Sequence, residues 1–160
     1  MIDGHQIEKT VTQFGTTHVI WLPDTTLGRW EAALESSSAF DLLRVCREGE
    51  AWPLAAGLYL GGKSPLVMMQ TTGLFESGDA LRNVLFDLRI PLFALVGYRS
   101  YLVEDSPDTA RRFAEPILDA WGLRYELING PDDLPKLGEL HRECQATSTP
   151  GVGLIAEGAM

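Results

Sequence analysis

Residues 66–70 read Leu-Val-Met-Met-Gln, four apolar side chains in a row with no alternation. A strand with one wet face alternates apolar and polar residues, whereas a strand covered on both faces need not. Two more runs share the pattern: 17–22 (THVIWL) and 91–96 (PLFALV). Residues 40–46, 124–128 and 152–155 supply further short strands. Between them lie stretches of helical spacing. In 2–14 the apolar residues Ile7, Val11 and Phe14 recur at that period, and in 27–34 Trp30 and Leu34 stand one turn apart. Segments 51–60, 79–88, 109–121 and 134–144 also read as helices, the first packed close to a neighbour through Ala55, Ala56 and Gly57. Residues 71–77 read as a loop freed by Gly73 and Gly78, and 98–108 as a longer polar connection. Strands alternating with helices specify an α/β fold: one parallel sheet of about six strands with helices on both faces, joined by right-handed crossovers. Chemistry in such sheets gathers at the carboxyl ends of the strands. Here those ends bring together residues 23–24, 47–50, 70–74 and 97–99.

The chain has 160 residues, 45% of them hydrophobic, enough for one domain burying roughly 70% of its extended surface. Its 13 basic and 22 acidic residues give a net charge of −9. That field excludes a general nucleic-acid binder, though not a local site for an anion. Cys46 and Cys144 are too few for a disulfide framework, and Cys46, after Leu42, Leu43 and Val45, reads as a buried, inert thiol. No apolar run reaches ~18 residues and no signal-peptide pattern opens the chain, so no membrane partner and a cytoplasmic location are expected.

The glycine fingerprint of dinucleotide-binding folds is missing, as are the lysine phosphate loop and the Gly-x-Ser-x-Gly elbow. Gly61-Gly62-Lys63-Ser64 precedes a strand and reads as a helix-to-strand turn. His5, His18 and His141 lack ligand spacing, so no metal site is expected from this chain alone.

Larger patterns carry more. Arg47-Glu48-Gly49-Glu50-Ala51, then Leu54-Ala55-Ala56-Gly57, Gly62-Lys63-Ser64-Pro65, Met69-Gln70-Thr71-Thr72-Gly73-Leu74 and PLFALVGYR at 91–99 occur in order. Together they resemble the pyrimidine-binding domain of thiamine-diphosphate enzymes. The likeness is greatest to the alpha subunit of sulfopyruvate decarboxylase and the N-terminal half of phosphonopyruvate decarboxylase. It runs from about residue 22 to residue 155, and implies that 1–160 is a single pyrimidine-binding domain.

The resemblance implies a role for Glu48, which follows the second strand and starts a helix. It would bond the cofactor's aminopyrimidine ring nitrogen and share a proton that activates the 4′-amino group toward the thiazolium carbon. A carboxylate at a helix N-terminus is also favoured by the helix dipole, with or without a ligand. Glu50 is the competing acid, pointing elsewhere from the same turn. Gln70, Thr71 and Gly73 match the family turn that approaches the pyrimidine. Asp24, Thr25, Thr71, Thr72 and Arg99 are the expected substrate contacts, Arg99 through its planar fork. Local capping accounts equally for Asp24 or Thr25, and a rim salt bridge for Arg99. Thr71-Thr72 stands where relatives often have Asn-Ser, and 75–78 departs from a frequent Gly-Asn pattern. Ser100 replaces a common glycine.

The family holds the cofactor's diphosphate through magnesium with a Gly-Asp-Gly motif that this sequence lacks. The resemblance therefore implies a separate diphosphate-binding subunit that supplies that motif and most of the Mg²⁺ ligation. The helices at 51–60 and 79–88, apolar and rich in small residues, would face it. The implied activity is decarboxylation of a small anionic 2-oxo acid of the sulfopyruvate or phosphonopyruvate type. A carboligase subunit, a non-catalytic partner-binding pyrimidine domain and a flavodoxin-like binding module are the alternatives.

Overall fold

The computed structural model describes residues 1–158. Six parallel strands form one sheet: β1 (His18–Trp21), β2 (Asp41–Arg44), β3 (Pro65–Gln70), β4 (Phe93–Tyr98), β5 (Arg124–Ile128) and β6 (Gly151–Ala156), in the order β2-β1-β3-β4-β6-β5. The helices are α1 (Gly4–Gln13), α2 (Glu31–Ser36), α3 (Glu48–Leu60), α4 (Thr71–Glu76), α5 (Gly78–Arg82), α6 (Thr109–Ala120) and α7 (Leu134–Thr147). The chain leaves β1 for the β2 edge and returns through α3 to β3 on the other side. The strand order therefore reverses between β1 and β3, the place where open α/β sheets form their crevice at the carboxyl ends.

The apolar runs are explained by two cores. Val67 and Met69 of β3 and Ala94 and Val96 of β4 face α3, α4, α5 and α6 through Trp52, Leu74, Leu81 and Leu118. Their neighbours Leu66, Met68, Phe93 and Leu95 face α1, α2 and α7 through Ile7, Leu34 and Leu137. Successive residues on a strand point to opposite faces, so a sheet covered twice needs apolar side chains at every position. Trp21, Trp30 and Trp52 are fully buried, and each indole N–H has an acceptor: Asp24, the Ile2 carbonyl and Ser77 respectively.

Three local readings are corrected. Residues 71–77 are not a loop: β3 passes at Gln70 straight into α4. Thr and Gly suggested a turn, but Thr71, Gly73 and Leu74 are buried, and the glycine answers a side-chain contact rather than a bend. Cys46 is exposed rather than buried, because β2 is an edge strand ending at Arg44. Gly57 meets no neighbour: the position its Cβ would occupy is open. Residues 79–88 form α5 and then a wider π-type turn over Asn83–Asp87.

His141 on α7 is buried between rings, stacked on Phe14 at 4.1 Å and edge-on to Phe93 at 5.1 Å. Burial, helped by nearby Arg142, pushes its pKa below the usual histidine value. The unfolded chain then takes up this proton more readily than the folded one, so stability falls as pH drops through the ordinary histidine range. The effect is at most about 1.4 kcal/mol per pH unit, the limit for one proton. Urea unfolding between pH 7.5 and 5 is expected to show this slope, and His141→Phe to reduce it; equal slopes would contradict the assignment.

Candidate active site

The β1 end is built around Asp24. Its Oδ1 accepts the Thr26 and Leu27 N–H groups at 2.7 and 2.8 Å, and its Oδ2 accepts the Trp21 indole at 3.2 Å. Asp24 is thus occupied in shaping the turn. Thr25 beside it is exposed. Thr26 donates to Gln70 Oε1 at 3.4 Å, joining the ends of β1 and β3. Thr26 also lies over Gly97 of β4, where a Cβ would stand 2.8 Å from Thr26 Cγ2. The segment continues to Arg29, whose guanidinium binds both oxygens of Glu157, just past β6. Burial pushes the Glu157 carboxyl up, and Arg29 opposes the shift. The chain after β1 is therefore laid over the ends of β3 and β4 and tied to the end of β6.

The other wall is the start of α3 against α4. Glu48 is the first residue of α3 and is half-buried. Its carboxylate has no hydrogen-bond or ion-pair partner among the described residues. Gly73 of α4 lies directly beneath it: a Cβ there would sit 2.4 Å from Glu48 Cγ and 2.7 Å from Oε1. Glu50 is committed elsewhere, accepting the Cys46 and Arg47 N–H groups at 3.2 and 3.3 Å as it folds back over the helix start. The two acids thus separate, one spent on capping and one unspent. Thr71 is fully buried, and its Oγ1 has no partner. Thr72 is half-buried. Glu76 accepts the Arg47 guanidinium and, at 2.8 Å, the Gly49 N–H. Arg47 first, and then the Gly49 N–H, hold the Glu76 carboxyl below the usual range.

At the β4 end, Arg99 Nε lies 2.8 Å from Asp108 Oδ2, an ion-pair contact whose N–H is not aligned for a hydrogen bond. Its terminal nitrogens make no hydrogen bond among the described residues. Asp108 also accepts from Ser100 Oγ and the Ala110 N–H. Burial resists its ionisation, but the Ala110 N–H, Ser100 and Arg99 outweigh that and keep its pKa low. Ser100 takes the left-handed conformation at φ 59°, where a glycine would be unstrained.

An uncommitted carboxylate over a glycine, an orphaned hydroxyl and an amide suit one edge of a flat nitrogen heterocycle, and so fit the pyrimidine end of thiamine diphosphate. They do not fit its diphosphate–metal end. Among the described residues no group of three or more His, Cys, Asp or Glu is placed to hold a metal ion. No described helix is long and apolar enough to cross a membrane. Sequence reasoning overlooked Glu76, Thr26, Asp108 and the Arg29–Glu157 pair. Of these only Asp108, before Thr109-Ala110, carried a local signal, that of a helix N-cap.

No protein-family model matches the chain. Sulfopyruvate decarboxylase of Methanosarcina acetivorans is 28% identical over 122 residues, 75% of this chain and 32% of that protein. Phosphonopyruvate decarboxylase of Streptomyces viridochromogenes is 29% identical over 150 residues, 92% of this chain and 37% of that one. The chain thus spans about a third of the length of both. The sulfopyruvate decarboxylase alpha subunit of Methanococcus maripaludis is 24% identical over 133 residues, 82% of this chain and 80% of the subunit. In structure, 2-oxoglutarate:ferredoxin oxidoreductase from Magnetococcus marinus superposes with a TM-score of 0.71 at 12% identity, over 97% of this chain and 29% of that one. The chain is related at low identity to the sulfopyruvate and phosphonopyruvate decarboxylases, and its six-stranded parallel α/β fold is consistent with a thiamine-diphosphate pyrimidine-binding domain.

Proposed function

We propose that this chain is the pyrimidine-binding half of a thiamine-diphosphate-dependent decarboxylase. Its substrate is a small anionic 2-oxo acid of the sulfopyruvate or phosphonopyruvate type. A separate subunit bearing a Gly-Asp-Gly motif carries the diphosphate and magnesium ligands. The observation supporting this reading above others is the unspent Glu48 carboxylate at the start of α3, over Gly73. Bound thiamine diphosphate supplies the nucleophilic carbon and the electron sink for loss of carbon dioxide. Glu48 holds the proton shared with the aminopyrimidine ring nitrogen. Thr71 Oγ1 and the Gln70 amide bond the polar edge of the ring, and Gly73 leaves room for Glu48 to reach it. The Arg99 terminal nitrogens take an anionic group of the substrate, with Asp108 holding the guanidinium by its other side. Asp24 shapes the turn that carries Thr25, and Thr25 and Thr72 are the further substrate contacts in this reading.

The partner completes the crevice and excludes water, the condition under which a carboxyl proton is shared rather than lost. The match over 80% of a protein named as an alpha subunit supports a two-chain enzyme. So does α3, which beyond its acidic first turn carries no charged residue yet leaves a groove lined by Pro53, Leu54, Gly57, Leu58, Gly61 and Lys63 uncovered. This groove lies on the helix that begins with Glu48, and we assign it to the same partner.

Reconstitution tests the reading. The chain alone is expected to be inactive. Adding a subunit with the Gly-Asp-Gly motif, thiamine diphosphate and Mg²⁺ is expected to give carbon dioxide and an aldehyde from a sulfonated or phosphonated 2-oxo acid. Leu54→Asp is expected to weaken the association. Full activity without a partner would reject the two-chain reading, and turnover confined to apolar 2-oxo acids or to carboligation would reject the substrate.

Glu48→Gln is expected to slow exchange of the thiazolium carbon proton in that complex by about 10²–10⁴-fold. Glu50→Gln, which alters only a cap, is expected to do much less. An unchanged Glu48→Gln rate with cofactor bound would exclude Glu48.

Gly73→Ala separates fold from site. Alanine favours a helix over glycine by about 1 kcal/mol, and the flexible Glu48 side chain can swing away. Thermal stability is therefore expected to hold or rise while exchange falls. Parallel loss of both would show that the contact serves the fold.

A further inference from the structure

We infer that Glu76 is a positioning residue for Glu48, an inference that rests on the proposed role of Glu48. Its carboxylate bonds the residues on both sides of Glu48 in sequence. Oε1 accepts from the Arg47 guanidinium, with Nε at 3.2 Å, and Oε2 accepts the Gly49 N–H at 2.8 Å. Arg47 is the residue before α3, Glu48 its first residue and Gly49 its second. Helix-start N–H groups have no partner within the helix, so Gly49 depends on Glu76 for its bond. Glu76 also stands three residues after Gly73, on the same side of α4. One short helix thus lays Gly73 under the Glu48 side chain and ties the Arg47 side chain before it and the Gly49 backbone after it. Glu48 itself spends no hydrogen bond on being held, and its carboxylate stays available for a ligand. Direct tethering through that carboxylate would have fixed the side chain at the expense of its chemistry.

The arrangement has little to offer as stability. Arg47 is 73% exposed and the Glu76 side chain 34%, and exposed ion pairs contribute little to folding. Orientation is a different matter, since an error of about 1 Å in a reacting group can cost on the order of 10²-fold in rate. Glu76 is therefore expected to matter for Glu48's chemistry far more than for the fold.

The test uses two readouts. In the isotopically labelled full chain, amide hydrogen exchange reports the Gly49 bond without cofactor or partner. Glu76→Ala is expected to speed Gly49 exchange about tenfold, with thermal stability nearly unchanged. Glu76→Gln keeps an acceptor for Gly49 but loses the charge facing Arg47, and is expected to recover part of the protection. In the reconstituted complex, Glu76→Ala is expected to lower thiazolium-proton exchange by about 10–10²-fold. Cofactor affinity should hold, and Glu76→Gln should fall between Ala and wild type. Unchanged Gly49 exchange in Glu76→Ala would overturn the inference. So would an unchanged activation rate in that variant when Glu48→Gln has collapsed, and the function would then stand without it. A Glu48→Gln variant that activates normally would remove the underlying reading, and this inference with it.

Discussion

The direct passage from β3 into α4 at Gln70–Thr71 is the constraint on which the site depends. Most strand-to-helix joints spend a few residues on a loop, and that slack would let the helix choose its own position. Here there is none. The register of β3, buried on both faces, therefore fixes where Gly73 and Glu76 stand. Gly73 leaves to the Glu48 side chain the space a Cβ would take, and Glu76 reaches Arg47 and Gly49 because α4 starts where it does. A second joint repeats the device: Thr26 and Leu27 rest on Gly97, and Thr26 reaches Gln70. Both walls of the crevice thus refer back to the central strands β3 and β4.

Burial divides the labour. The sheet and its helices are held by two apolar cores, the non-directional contribution that dominates folding. The polar contacts at the crevice set direction instead. Asp24, Glu50, Glu76 and Asp108 all accept backbone N–H groups, a use of carboxylates that fixes turns and helix starts. Glu48 is the carboxylate left out of this pattern. An acid that caps nothing, in a region where its neighbours all cap something, has only the dipole of α3 as a structural reason for its place.

The fold was legible because it depends on patterning. Continuous apolar runs gave the central strands, and Arg124–Ile128 was read at its observed limits. What escaped were features set by contact rather than composition. Thr71-Thr72-Gly73 has the local chemistry of a loop, and only the proximity of Glu48 explains a glycine inside a buried helix. Gly57 misled in the opposite sense, reading as a close contact and facing open space. Cys46 read as buried because its neighbours are apolar, but position at the sheet edge outweighs composition there. In sequence, Glu48 and Glu50 are separated by resemblance and by their direction from the turn; in the structure Glu50 caps the helix start, while Glu48 has no hydrogen-bond partner among the described residues. Glu76 gave no signal because its meaning lies 27 residues away, in the N–H of Gly49. The same holds for Arg29 and Glu157, 128 residues apart.

Charge gives a further reason why such a site would be divided between two chains. The net charge is −9, and Glu48, Glu50 and Glu76 crowd the first turn of α3 against one arginine, Arg47. A diphosphate brought here would meet carboxylates, and like charges repel strongly where water is thin. The pyrimidine ring carries no such charge, and a ring nitrogen that accepts a proton is favoured by an acidic neighbour. A hard cation to offset the diphosphate requires a set of oxygen ligands, and among the described residues no three or more His, Cys, Asp or Glu are grouped to hold one. The proposed separation of the two ends of the cofactor follows from this conflict. A surface acidic enough to share a proton with the ring is poorly suited to hold the phosphates. The ligands for the second task are better carried on a surface of opposite character that meets the first across the crevice.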